Sequence, residues 1–168
     1  CGNAVVGEDA MSYMERFNLK GRGAIVTGAA GILGRPCCEG LAEFGADVAV
    51  VDLDTQVCRD FAAELSARHG IRAVGIGCDI TDAAAVSGMV TEAASALGDI
   101  QILHNNVGGK TPDLAAYFIS FENYSLAEWR RVMAVNIDGV FLVDQAVGRQ
   151  MVAHGRGGSI IHTASIYG

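Results

Sequence analysis

Five short apolar runs, at 24–27, 47–51, 73–77, 100–103 and 159–162, recur along this chain with longer stretches of helical periodicity between them. The runs are nearly uniform in apolarity rather than alternating apolar with polar, the pattern of strands buried on both faces. The intervening stretches predict helices over 33–44, 56–68, 82–97 and 126–153. Alternation of this kind calls for parallel strands joined by helical crossovers, so the chain reads as an α/β, doubly wound parallel sheet. Local signals agree. Val57, Phe61 and Leu65 recur at fourfold spacing and give the second helix an apolar stripe. Gly45 stands where the first helix must stop, and Asp82 and Ser125 stand where later helices need N-caps. Residues 1–16 read as a loose polar tail, with regular structure starting near Lys20 and one domain over 17–168.

Composition excludes several classes of function. Hydrophobic residues make up 51% and charged residues 18%, enough apolar surface for a packed core and too little charge for a disordered chain. The net charge of −7, with no local cluster of Lys or Arg, disfavours nucleic acid as a partner. No apolar run approaches the roughly 20 residues of a membrane span, and the first sixteen residues do not resemble a signal peptide. Cys1, Cys37, Cys38, Cys58 and Cys78 form no CxxC pair and no Cys/His ligand spacing. They read as free thiols of a reducing cytoplasm, with no metal site. A chain starting on Cys rather than Met suggests a sequence incomplete at the front or a processed end.

The first run leads into Thr27-Gly28-Ala29-Ala30-Gly31-Ile32-Leu33-Gly34, and a helix follows. Glycines there let the backbone turn tightly and approach a pyrophosphate, whose charge meets the unpaired N–H groups of the helix start. Pro36 suits the first helical turn, where its missing N–H costs nothing. A Gly-rich turn without a ligand would use the same residues. Asp52, about 20 residues further on at the end of the second run, suits the hydroxyls of an adenosine ribose and repels a 2′-phosphate, which points to NAD. A capping or solvated Asp is the alternative, with Asp54 nearby. Arg35 follows the last glycine and is expected to point from the helix to solvent.

From this point the chain resembles the short-chain dehydrogenase/reductase family. The family's TGxxxGxG is matched by TGAAGILG, with Thr27, Gly28 and Gly34 in place and the middle glycine displaced to Gly31. Its Asp after the third strand, which binds the adenine amino group, is matched by Asp79; its NNAG motif by Asn105-Asn106-Val107-Gly108. Asn136, in Trp129-Arg130-Arg131-Val132-Met133-Ala134-Val135-Asn136, matches the family's active-site Asn, and Ser165 its catalytic Ser. A mid-helix Asn bonded to a neighbouring loop, and a strand-end turn at Asp79, are the plain alternatives. The resemblance covers about 17–168 and implies a Rossmann-type sheet of order 3-2-1-4-5, incomplete at about five strands. It implies a cofactor site of Thr27, Gly28, Gly31, Ile32, Leu33, Gly34, Asp52, Leu53, Asp79, Ile80, Asn105, Asn106 and Val107, with catalytic Ser165 and Asn136.

The resemblance further implies NAD-dependent interconversion of an alcohol and a carbonyl, and a homo-oligomer (dimer or tetramer) of the full-length protein. The family's YxxxK pair, its general acid/base and the Lys beside it, would lie beyond Gly168. Tyr167 is too near Ser165 and has no Lys behind it, and Tyr13, Tyr117 and Tyr124 lie in the wrong segments. The chain is therefore expected to be inactive alone; a non-catalytic dinucleotide-binding module and an NADPH-dependent reductase remain the alternatives. The long insertion 110–123 and the ending Ser165-Ile166-Tyr167-Gly168 look like members acting on sugars or sugar acids. Trp129 and Phe141 read as packing residues, His104 as a core imidazole, His162 as buried or flanking, and His69 and His154 as cations at helix ends.

Overall fold

The computed structural model describes residues 13–109 and 118–165. Most of the expected tail lies outside them, but its described end is a helical turn, α1 (Tyr13–Arg16), rather than loose chain. The sheet has five parallel strands: β1 (Gly23–Thr27), β2 (Asp47–Asp52), β3 (Ala73–Gly77), β4 (Ile100–Asn105) and β5 (Ser159–His162). Their spatial order is β3-β2-β1-β4-β5, the Rossmann-type order that the resemblance implies.

Helices α2 (Gly34–Glu43) and α3 (Thr55–His69) cover one face, and α4 (Ala83–Leu97) covers the other. The uniform apolarity of β1 and β2 follows from this double cover. Ile25, Ala49 and Val51 pack with Val86, Met89 and Ala93 of α4, whereas Val26, Val48 and Val50 pack with Cys38, Phe61 and Leu65 of α2 and α3. Asp54 and Asp82 cap α3 and α4 by accepting their first free amides, and Ser125 caps the next helix. Gly45, at φ 91°, ends the α2 segment as expected. Two readings need correction. Val57 is exposed, and the buried stripe of α3 is Cys58, Phe61, Ala62 and Leu65. β5 is exposed along its whole length, because it forms the sheet edge and no described helix covers it.

The expected long helix 126–153 is α5 (Leu126–Met133), a π-helical segment Ala134–Gly139 and α6 (Val140–His154). Val143, Val147 and Met151 of α6 join the α4 face of the core. By contrast Trp129 and Phe141 are half-exposed or more, so neither is an interior packing residue among the described residues.

Between β1 and β4 the chain reverses direction across the sheet, since α2 leaves β1 on one face and α4 reaches β4 on the other. A buried polar brace closes this seam. The Thr27 hydroxyl, fully buried, donates to Asn105 Oδ1 at 2.7 Å and accepts the amides of Asn106 and Val107 at 3.1 and 3.2 Å. Asn105 Nδ2 in turn donates to the Val140 carbonyl and to Asp144 Oδ1. Replacing Thr27 by the isosteric Val would strand a buried acceptor and two amides. Urea unfolding of Thr27→Val should show a loss of about 2–3 kcal/mol; a loss near zero would mean that the brace contributes nothing.

Candidate dinucleotide-binding site

The residues singled out in sequence meet at the carboxyl ends of the strands. In the strand register Thr27 stands beside Val51 and Asn105, Asp52 beside Gly77, and Asn105 beside His162. The turn after β1 needs its glycines at two points. Gly28 has φ 62°, and a Cβ there would lie 3.1 Å from Val107 Cα. A Cβ at Gly34 would collide with the Gly28 carbonyl oxygen and sit 2.6 Å from Ala29 Cα, so only glycine lets α2 start this close to the turn. Gly31, the displaced glycine, is less constrained: its Cβ would meet only the Gly28 oxygen, at 3.3 Å.

Helix α2 starts without a cap. Its N-cap residue is Leu33, which has no side-chain acceptor, and no described residue accepts the amides of Ile32, Leu33 or Gly34. Ile32 and Leu33 are exposed beside these unmet donors. Unpaired amides at the positive end of a ten-residue helix favour an anion. The Asp52 carboxylate lies against the same turn: Oδ2 accepts the Ala30 amide at 3.0 Å and Oδ1 accepts the Leu53 amide at 2.8 Å. Leu53 itself is exposed. Arg35, expected to point to solvent, does so only in part, with 42% of its side chain exposed. Its Nε donates to the Ala30 carbonyl at 3.2 Å, and its guanidinium lies 4.3 Å from the centre of the Phe61 ring.

The other cofactor candidates divide by what their side chains already do. Asn105 is 2% exposed and fully engaged in the brace, so its side chain is structural. Asn106 is half-turned to the site: its Nδ2 reaches the Thr27 and Gly28 carbonyls at 3.4 Å, and its Oδ1 accepts the Thr163 hydroxyl at 2.8 Å. Asp79 is exposed and forms a strand-end turn, accepting both the Thr81 amide and hydroxyl; these bonds hold its carboxyl below the usual range. The Ile80 side chain is core, packed against Gly139, where a Cβ would lie 2.6 Å from Ile80 Cδ1.

Asn136 lies in the π-helical segment, and both ends of its amide bind one residue of the loop after β4. Gly109 N–H donates to Oδ1 at 2.8 Å, and Nδ2 donates to the Gly109 carbonyl at 2.9 Å. Ser165 follows β5 by three residues and is exposed. Thr163, between them, has its one hydroxyl hydrogen on Asn106 and so accepts from His104 Nε2 at 3.1 Å; burial pushes the His104 imidazole below its ordinary pKa. His162 is exposed rather than buried, held 2.8 Å from Asp144. His69 and His154 do end α3 and α6, where they pair with Glu39 and Asp99. Arg35, Thr163 and Asp144 have roles that the sequence reading missed; the place of Thr163 two residues before Ser165 was the one available signal. Burial raises the thiols of Cys38, Cys58 and Cys78 to about 12, 11 and 11, far from nucleophilic, and the four described cysteines are free. Tyr117, Tyr167, Cys1 and most of the insertion lie outside the described residues.

Known proteins supply the family. A D-threitol dehydrogenase of Mycolicibacterium smegmatis is 38% identical over 149 residues, 89% of this chain and 54% of that protein. A sorbitol dehydrogenase of Cereibacter sphaeroides is 38% identical over 150 residues, again 89% and 54%. This chain thus spans little more than half the length of these relatives. Among solved structures, a short-chain type dehydrogenase/reductase from Mycobacterium marinum superposes with a TM-score of 0.84 at 35% identity, covering 93% of this chain and 60% of that one. An NAD+-bound xylitol dehydrogenase gives 0.80 at 32% (89% and 55%), and an NADPH-dependent 3-quinuclidinone reductase from Rhodotorula rubra gives 0.83 at 27% (98% and 59%). The family model for short chain dehydrogenases matches residues 22–168, and the chain belongs to that family.

Proposed function

We propose that this chain is the NAD-binding part of an oxidoreductase that interconverts an alcohol and a carbonyl, with a polyol or sugar as the substrate class. The observation that carries the reading is the Asp52 carboxylate hydrogen-bonded onto the glycine turn, next to the uncapped start of α2. The amides of Ile32, Leu33 and Gly34 would hold the diphosphate, and the cradle at Gly28 and Gly34 leaves no room for a Cβ. Asp52 and its neighbour Leu53 would receive the adenosine ribose, the carboxylate accepting its hydroxyls and repelling a 2′-phosphate. Asp79 and Ile80 would border the adenine, and Asn106 and Val107 the nicotinamide side.

NAD, when bound, supplies the hydride acceptor. On the protein side Ser165 would hold the substrate oxygen by its hydroxyl, and the backbone carbonyl of Asn136, whose side-chain amide is engaged with Gly109, would orient a water in the proton path. The relatives named for threitol and sorbitol support a polyhydroxylated substrate. The exposed Trp129 and Phe141 on the long helix support a homo-oligomeric full-length protein. Buried, unreactive thiols support a reducing cytoplasm.

An NADPH-dependent neighbour in the same family makes cofactor choice the first thing to measure. Calorimetry on the purified chain should give NAD binding at least about tenfold tighter than NADPH binding, because a 2′-phosphate would face the Asp52 charge. Asp52→Ala should lose about tenfold in NAD affinity, the worth of one or two charge-assisted hydrogen bonds; unchanged affinity would remove Asp52 from the ribose. With no YxxxK pair in its sequence, the 168-residue chain should bind NAD yet produce no alcohol-dependent NADH absorbance.

A further inference from the structure

The phosphate turn is held by more than its glycines. Gly31 constrains the backbone less than Gly28 or Gly34, since a Cβ there would press only on the Gly28 oxygen, at 3.3 Å. Besides the Ala29 N–H on the Val51 carbonyl at 3.1 Å, the turn is held from its two sides at Ala30. The Asp52 carboxylate takes the Ala30 N–H at 3.0 Å, and the Arg35 Nε–H takes the Ala30 carbonyl at 3.2 Å. Arg35 also donates its own amide to the Gly31 carbonyl at 3.1 Å. Its guanidinium rests 4.3 Å above Phe61, a core residue of α3 that is 2% exposed. Glu64 of the same helix lies 3.9 Å from Nη1, too exposed and distant to add much. The contacts therefore run from the rigid core through one side chain to the turn that presents the α2 amides.

We propose that Arg35 is a positioning residue: it clasps the Ala30 carbonyl from the Phe61 ring and so presets the turn for a diphosphate. This rests on the dinucleotide reading above. An Arg at this place has two other conceivable uses, as a diffuse positive charge drawing in the diphosphate, or as a ligand of a 2′-phosphate. The geometry favours the clasp over both, since Nε is committed to the Ala30 carbonyl and one face of the guanidinium to the Phe61 ring, which fixes the group against the turn and leaves only its Nη edge toward solvent. Lys cannot replace it, because an ammonium lacks both the planar surface that stacks and the fixed Nε donor.

The test uses Arg35→Lys and Arg35→Met in the whole chain. Both variants should weaken NAD binding about five- to tenfold, equally in low and high salt, with Tm within about 2 °C of the parent. In the ligand-free protein, hydrogen exchange of the Ala30 amide should speed up several-fold in both, since the bond to Asp52 depends on the turn being held. Affinity restored by Arg35→Lys, or a loss that disappears in high salt, would show that charge alone matters and overturn the clasp. Unchanged affinity in Arg35→Met would overturn it too. If the parent chain takes up no dinucleotide, the functional reading falls, and exchange at Ala30 still decides: faster in both variants supports the clasp, unchanged rejects it.

Discussion

The structure depends on one buried hydroxyl. Thr27 sits where β1 ends and where the sheet changes direction, with α2 on one face and α4 on the other. A parallel sheet exposes unpaired amides and carbonyls at such a seam, because the chains on its two sides diverge. Thr27 and Asn105 fill the gap with hydrogen bonds, and every polar atom of the Asn105 side chain is paired. A buried network of this type fixes geometry only when all its members are satisfied. Here that condition holds, so the glycine turn and the loop after β4 are anchored to one point.

The site adds a controlled deficit to this rigid base. Three amides at the start of α2 lack partners among the described residues, the N-cap is Leu, and two apolar side chains stand exposed beside them. Each feature costs stability in the free protein. Together they leave a surface that favours an anion beside exposed apolar side chains. The Asp52 carboxylate sets the boundary of that surface, since a second negative group brought against it would be repelled.

Much of this was legible in the sequence. The double cover follows from uniform apolar runs, which only a two-faced sheet tolerates, whereas the strand order came from the resemblance to the family. The glycine turn and Asp52 were legible because spacing along the chain maps onto spacing in a βαβ unit. What stayed hidden depends on contacts distant in sequence. Asn105 could be seen as a site residue but not as a spent one, because its partners at Thr27, Val140 and Asp144 are far apart in the chain. Arg35 was taken as solvent-directed because its platform, Phe61, comes from another helix. The exposure of β5 was unreadable from its composition, which suits a buried strand, since burial is decided by what packs against it.

The π-helical segment at Ala134–Gly139 has a geometric effect on everything beyond it. A π turn accommodates one residue more than an α turn, and each residue of an α-helix advances by roughly 100°. The segment therefore rotates α6 against α5 by about that angle. Trp129 and Val143 would follow one common stripe on an unbroken helix; here the stripe is split, with Val143 in the core and Trp129 half in solvent. Removing a single residue within 134–139 would re-phase the rod, turning an inward-facing surface outward without altering any side chain. The wide turn thus lets one continuous helix serve two unrelated surfaces, with Asn136 seated where the change of phase occurs.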